Sequence, residues 1–462
     1  LRGKRKFLLL LLPGGGFMRA NAKVLLTFLI LLTLISSSQS RIIYIPSPSL
    51  ATIQSGINLA LEGDTVLVNS GTYYENINFK GKKIVVASRY LLEHDSSLID
   101  STIIDATYKP SIPAVTFKSA EDSLSLLTGF TIQNSSNTWG VLCDSSSSPK
   151  IVFNRIKNNL GGLNCSQSSN PLIRDNFLGN NTNTGIRCEF GSSPLIENNT
   201  LIQNGEQGII TENSTPNPLI KNNYISGHQI GVKLMSGTSL IERNVITQST
   251  QKGLSINGAS PQVFNNTIAN NTGDGVEIVS SPGVSLKNNI ISSSSSGYGI
   301  RVSSADPVIG YNDVWGNASG NFSGAPIGVG NMFWGKNYKG IPCDQFRNIS
   351  QEPRFISPPA DFSLQCSSPC IDVGDPAFPV PSSGGAIIDM GAYEYLILTG
   401  DVYVDGKIDV SDVVFIINYL FKNGPAPDPL KKGDVTADGL INVQDVIHLI
   451  NYLFRFGMPP CH

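Results

Sequence analysis

The chain has 462 residues, enough for more than one domain, and a formal net charge of −2 with only 15% charged residues. So even a balance gives no reason to expect a nucleic acid or other polyanion as partner. Abundant Gly, Ser and Asn suit a stacked, turn-rich β protein better than a helical one.

Residues 1–40 read as an export segment, not as fold. Met18-Arg19-Ala20-Asn21-Ala22-Lys23 is a short basic start; residues 24–35 are an apolar run; Ser36-Ser37-Ser38-Gln39-Ser40 closes it. That is the order of regions in a secretory signal peptide. The run is shorter than a membrane span requires. The expectation is a start at Met18, cleavage near Ser40, a secreted mature chain and no membrane span in it; a single membrane anchor is the alternative.

From Arg41 the pattern becomes structural. Residues 53–61 read as one amphipathic helix with Thr52 as N-cap. Strands are predicted over Thr65–Val68, 84–87, Thr102–Asp105, 114–117 and 129–132.

A repeat then begins at Pro149. The segments PKIVFN, PLIRDN, PLIENN, PLIKNN, SLIERN, PQVFNN, VSLKNN and PVIGYN follow at steps of 22, 23, 24, 21, 22, 23 and 23 residues. Each carries Asn at its sixth place: Asn154, Asn176, Asn199, Asn223, Asn244, Asn266, Asn289 and Asn312. A Gly followed by an apolar residue keeps the same beat, from Gly140-Val141 to Gly299-Ile300. Self-similarity at this period means a solenoid, and short Ile/Val-rich runs between Gly and Asn mean strands. Two apolar columns must face inward, because a solenoid buries its core only by stacking. One runs from Ile151 to Ile309, the other from Ile156 to Val314. The Asn between them is placed at the bend, where it tolerates left-handed backbone and stacks its amide along the ladder.

Three other columns bear on function. Cys143, Cys165 and Cys188 share one column and read as buried thiols acting as small hydrophobes. The outward column Arg174, Glu197, Lys221, Glu242 alternates in charge and is set to pair between coils. Glu277 shares an outward column with Arg187, Lys233 and Arg301, so a surface pair with Arg301 on the adjacent coil is expected. His228, the one His of the repeat, has no evident partner. The Asn-x-Ser/Thr sequons are accounted for by the ladder.

A coil of this length with an Asn at each bend resembles the right-handed parallel β-helix of the pectin-lyase-like superfamily. The run TIQSGINLA…GDTVLV…GTYYENINFKGKKI resembles the N-terminal cap and first coil of secreted β-helix proteins. The pieces NMFWG, EPRF, SPCIDVGDP and DMGAYEY resemble their closing coils. Residues 41–395 are thus expected to form an all-β, single-stranded right-handed parallel β-helix whose last aromatics plug the end. Asp372, Asp375 and Asp389 are expected to cap turns. A disulfide among Cys343, Cys366 and Cys370 is compatible with export; the pairing, with Cys461 also present, stays open.

Residues 400–462, after a linker at 396–399, are a different object: a small α-helical calcium-loop domain. GDVYVDGKIDVSDVVFIINYLF is followed 33 residues later by GDVTADGLINVQDVIHLINYLF. A calcium loop needs oxygen ligands at alternate places with Gly at the turn. The first loop offers Asp401, Tyr403, Asp405, the Lys407 carbonyl, Asp409 and Asp412, with Gly406 at the turn. The second offers Asp434, Thr436, Asp438, the Leu440 carbonyl, Asn442 and Asp445, with Gly439. The last ligand is Asp and no helix enters the loop; with the duplication, this resembles a type I dockerin. The resemblance implies two Ca2+ ions and docking onto a cohesin through helices 410–421 and 443–454, with Val410, Ser411, Val443 and Gln444 in recognition. Tyr403 fits its place poorly, which weakens the first site or leaves that position to water. His448 is assigned to packing or the rim of the interface.

The resemblance further implies work on extracellular polysaccharide, as ligand or substrate, by a lyase or hydrolase tethered to a scaffold or cell surface. The alternative is a non-catalytic surface, adhesion or display module. Neither an Asp-Asp pair nor a Gly-His-Gly run marks a hydrolase, and no catalytic residue can be assigned.

Overall fold

The computed structural model describes residues 7–11, 17–21, 40–365, 367–381, 387–395, 399–403, 405, 407–427, 430–436, 438–455, 457–458 and 460. Phe7–Leu11 pairs antiparallel with Phe17–Asn21, which places Met18 on a strand. The apolar run at 24–35 and Cys366 and Cys461 lie outside the described residues. Among the described residues no helix is long and apolar enough to cross a membrane.

Short strands stack into three parallel sheets, of 12, 11 and 11 strands, that wind as a right-handed parallel β-helix. The helix Ile53–Leu59 covers the open N-terminal end. Thr52 Oγ1 accepts from Ser55 N–H in a capping box, and Ile53, Gly56 and Ile57 face the first coils. An uncovered end would be a row of unpaired strand groups. Gly56 is required there: a Cβ would stand 2.8 Å from Val66.

Both predicted inward columns are buried. Ile173, Ile196, Ile220 and Ile241 in the first sheet are 0% exposed, as are Leu178, Leu201, Ile225 and Ile246 in the second. Each contributes about 2 kcal/mol of burial. Cys143, Cys165 and Cys188 lie in register in the third sheet and belong to this core. The strand expected at 129–132 starts later and runs over Thr131–Gln133, because Gly129 (φ +83°) makes the bend that follows Leu126–Thr128.

The bend corrects the predicted role of the ladder Asn. The left-handed residue is the one before it: Phe153, Asp175, Asn198, Asn222, Arg243, Asn265, Asn288 and Tyr311 all have φ between 54° and 57°. The ladder Asn instead turns its amide inside. Asn199 Oδ1 accepts from Asn176 N–H at 3.0 Å, and its Nδ2 donates to Ile173 O, Glu197 O and Asn223 Oδ1 at 2.8–3.0 Å. Division of labour follows from geometry: the residue that bends points its side chain out, so the next one must satisfy the buried amides. Asn348, from beyond the repeat, ends the column by accepting from Asn312 N–H at 3.0 Å.

A second ladder, absent from the sequence reading, lines the next bend. Asn159 N–H donates to Asn181 Oδ1, and Asn181 N–H to Asn204 Oδ1. His228 continues it and is therefore partnered: its Nδ1 accepts from Asn204 N–H at 3.1 Å and its Nε2 lies 3.2 Å from Leu201 O. Burial lowers its pKa, which suits the neutral ring this pairing requires.

The end of the solenoid also differs from expectation. Phe333 and Trp334 are 99% and 67% exposed and plug nothing. The described residues of 353–395 instead turn back along the outside of the second sheet. Phe362 and Ala392 pack on Val245 and Ala269. Asn265 Nδ2 donates to Asp389 O at 2.8 Å, and Asn288 Oδ1 accepts from Asp375 N–H at 2.8 Å. Farther on, Val410–Phe421 and Val443–Arg455 pack together around Ile416 and Leu449.

The two bend positions are separable by substitution. Asn199→Ala should lower the unfolding free energy by about 3 kcal/mol, since several buried groups lose partners. Asn198→Ala should cost only about 1 kcal/mol of left-handed strain, and Asn198→Gly less. Denaturant unfolding of the three variants checks this ordering.

Candidate functional site

The outer face of the third sheet carries charged residues and aromatic rings together. Its central outward column runs Asn164, Arg187, Ile210, Lys233, Ser255, Glu277, Arg301. Trp139 lies flat over Gly161, where a Cβ would meet the indole at 2.1 Å. The Arg187 guanidinium sits 5.2 Å from that ring and its Nε 3.1 Å from Glu212. Glu189, nearly buried, accepts from Asn164 Nδ2 and Asn213 Nδ2. Opposed charges and an aromatic platform therefore meet on one face.

The predicted Glu277–Arg301 pair does not form. Glu277 turns to Lys252 at 2.5 Å and to Ser255, and Arg301 pairs with Asp274 at 3.1 Å while lying 5.1 Å from the Tyr298 ring. Asp274 is the better partner because it is 5% exposed, held by Tyr298 N–H, and a buried carboxylate gains most from a cation. In the first sheet, Lys221 pairs with Glu197 at 3.0 Å as the alternation predicted, but Arg174 turns to Asp175 at 3.4 Å. Lys233 has no ion pair among the described residues.

A second group of acids fastens the returning segment. Cys370 Sγ–H donates to Asp313 Oδ2 at 3.3 Å, and burial pushes the Asp313 carboxyl up to about 7. Asp389 accepts from Asp372 N–H and Tyr395 N–H at 2.6 Å, and burial, with Glu394 nearby, pushes it up to about 8. Asp375 accepts from Ala377 N–H and pairs with Lys287 at 2.8 Å. These are turn-capping and fastening roles. Cys343 and Cys370 are both free thiols.

The two C-terminal loops have matching geometry. Asp412 and Asp445 are 0% exposed. Asp412 accepts from Tyr403 N–H and Asp409 N–H at 2.9 Å; Asp445 accepts from Thr436 N–H at 2.9 Å and Asn442 N–H at 2.8 Å. Asp405 N–H donates to Asp401, and Asp438 N–H to Asp434, both at 3.1 Å. Lys407 N–H donates to Asp405 and Leu440 N–H to Asp438. The loops differ where the sequence suggested: Thr436 Oγ1 points inward, 2.9 Å from Asp445, whereas Tyr403 is 61% exposed. Gly406 lies outside the described residues. Among the described residues no three His, Cys, Asp or Glu side chains converge on one point as the loops stand.

Beside each loop the helix leaves an apolar face open. Val410, Val414 and Phe421 are exposed on the first helix, and Val443, Ile447 and Phe454 occupy the same places on the second. Ser411 and Gln444 donate their backbone N–H groups to Asp409 and Asn442. Val414, Ile447 and the two Phe residues were missed in the sequence; their recurrence after 33 residues was the available signal. His448 is half-buried, with Nε2 unpartnered among the described residues.

The family model of the right handed beta helix region matches residues 66–225, 113–263 and 210–325, and that of the Dockerin type I domain matches residues 399–454. No curated protein matches the sequence. Among solved structures, pectate lyase Pel9A is similar at 16% identity over 77% of this chain and 97% of that one, with a TM-score of 0.49. The periplasmic alginate epimerase AlgG is similar at 15% identity, over 63% and 77%, with a TM-score of 0.43. The PL6 family alginate lyase AlyGC is similar at 14% identity, over 70% and 58%, with a TM-score of 0.40. These are likenesses of fold alone.

The raised carboxyls make the fastening pH-dependent. A folded-state pKa above the unfolded one stabilises below the ordinary carboxylate range and is lost as pH rises through the folded value. The thermal midpoint of the solenoid should therefore fall as pH rises from about 5 to about 9, most of the loss coming by the folded values near 7 and 8. Asp313→Asn should flatten that dependence in a series of melting curves.

Proposed function

The chain belongs to the right handed beta helix region family and carries a Dockerin type I domain, and on that premise we propose that it is an extracellular β-helix that engages polysaccharide while its dockerin tethers it to a cohesin-bearing scaffold or surface. One observation carries the tether: loop hydrogen bonds and exposed apolar residues recur together after 33 residues, in helices Val410–Phe421 and Val443–Arg455. Two equivalent faces then allow the cohesin to be met in two orientations, with Val410 and Ser411 on one and Val443 and Gln444 on the other.

The loops suit calcium. Their donors are all oxygen, and buried Asp412 and Asp445 sit where a helix start meets its loop. Asp401, Asp405, Asp409, Asp412 and the Lys407 carbonyl would hold the first ion; Asp434, Thr436, Asp438, Asn442, Asp445 and the Leu440 carbonyl the second. Bound there, the ion neutralises clustered carboxylates and so contributes to folding. The inward hydroxyl of Thr436 and the outward ring of Tyr403 support a stronger second site.

For the β-helix, the charged and aromatic face of the third sheet supports polysaccharide engagement. A catalytic reading has one residue behind it: Lys233, the cation of that column without an ion pair among the described residues, would present its positive charge to a substrate carboxylate. Activity on a polysaccharide panel in calcium decides between the two. Unsaturated products or new reducing ends that vanish in Lys233→Met give an enzyme; binding without turnover gives a recognition module.

The tether is tested against a panel of cohesins. Chelation of calcium should abolish binding. Val410→Asp or Val443→Asp alone should leave affinity within about threefold, while the double variant should lose about a hundredfold. Loss of binding in either single variant would exclude two equivalent faces.

A further inference from the structure

The column of left-handed residues that bends the first sheet into the second has two fates along the solenoid. Over the late coils it is occupied. Asn265 and Asn288 are buried, and their amides hydrogen-bond to the backbone of the returning segment. Over the middle coils the same column is open: Asn198 and Asn222 are exposed, with side-chain amides bonded to no other described residue. The outward residues of the second sheet change with it, from Val245, Thr267 and Ile290, all buried, to Thr200 and Tyr224, half-buried.

Two cavities line this open stretch. One, of about 350 Å³, lies beside Phe153, Arg155 and Phe177. The other, of about 590 Å³, lies between Tyr224 and Arg243 on one side and Tyr393 and Glu394 on the other. They meet at Asn198 and Thr200, which line both. The groove is closed at one end by the short helix Ser97–Ser101, where Asp100 pairs with Arg155 at 2.9 Å, and at the other by the returning segment. From Phe153 to Arg243 it spans four inter-coil steps of about 4.8 Å, roughly 19 Å.

The left-handed residues that are neither Asn nor Asp point the same way. Phe153, Arg243 and Tyr311 hold φ near 55° without the side chain that tolerates it. Such strain persists where something else requires the residue. Phe153 packs on Tyr90 and Tyr311 joins the returning segment's core, but Arg243 has no ion pair among the described residues and faces the cavity.

We propose that this groove binds a neutral glycan chain laid along the solenoid axis, where the returning segment's own backbone lies over the later coils. Free amides suit hydroxyls, and the Phe177, Tyr224 and Tyr393 rings suit sugar faces. Charge in the groove is balanced: Arg155 is paired to Asp100, Asp175 to Arg174, and Arg243 stands opposite Glu394. A uniformly acidic chain would find no surplus of cation. This proposal rests on the reading that the β-helix engages polysaccharide, and adds a site distinct from the third-sheet face.

The test is calorimetric titration of the full chain in calcium with neutral tetrasaccharides of the cello, xylo and manno series, and with a uronide tetrasaccharide. Asn198→Gly with Asn222→Gly removes both amides at positions where Gly takes the backbone without strain, and Tyr224→Ala removes a ring. A neutral tetrasaccharide should bind, and either variant should weaken it about tenfold or more while cohesin binding stays unchanged. Preference for the uronide, or neutral binding unaffected by both variants, would overturn the groove and leave polysaccharide engagement standing elsewhere. Binding of no glycan by the wild-type chain would overturn both.

Discussion

Everything in the solenoid depends on how a sharp bend satisfies the amides it buries. A strand that turns through a corner every few residues leaves a backbone N–H pointing into the core with no strand beside it, and an unpaired buried donor costs about 1–3 kcal/mol. Repeated over a dozen coils that cost would exceed the stability of an ordinary domain. The ladder removes it by lending each N–H the side-chain carbonyl of the next coil, as Asn154 does with Asn176 and Asn244 with Asn266. Asn suits this because one planar group offers an acceptor and two donors at the right reach. His228 shows the requirement is chemical: an imidazole with an acceptor nitrogen and a polar opposite edge fits the same place.

Once the ladder owns the inside of the corner, the residue before it is left to face outward in a conformation most side chains avoid. Over the late coils that outward row meets the segment lying along the solenoid axis. The returning segment shows the principle within the chain, since Asn265 and Asn288 grip its backbone. The third sheet behaves differently. Its face is organised by ion pairs and by two rings under guanidinium groups, Trp139 and Tyr298, so it carries charge where the corner carries amides.

The coil repeat was legible because a period-2 strand between fixed corners leaves an apolar column that any reader can align; Ile173 through Ile241 declared themselves. The left-handed position was not, because Asn occupies both adjacent places in four of the eight coils, and in the others Phe153, Asp175, Arg243 and Tyr311 precede an Asn that tolerates the bend better than Phe, Arg or Tyr does. The second ladder was hidden by its variety: Asn204 is followed by His228, and farther along Ser249 N–H donates to Asn271 Oδ1. The path of the described residues of 353–395 was unreadable for a different reason: its partners lie about 90 to 125 residues upstream, and nothing local encodes that distance. In the C-terminal repeat the loops were read from spacing, whereas the exposed faces of the two helices, Phe421 and Phe454 included, were reached only as whole helices through the resemblance.

The returning segment also decides how the molecule bears load. In a bare solenoid each coil holds only its neighbours, so a pull on the chain's end would unzip the last coil first. Here the chain reaches its tethering domain only after running back over coils that hold Val245, Thr267 and Ile290. A pull applied through the C-terminal domain would therefore enter the solenoid partway along its side. It must shear a band of packed rings and hydrogen bonds at once, while the terminal coil stays slack.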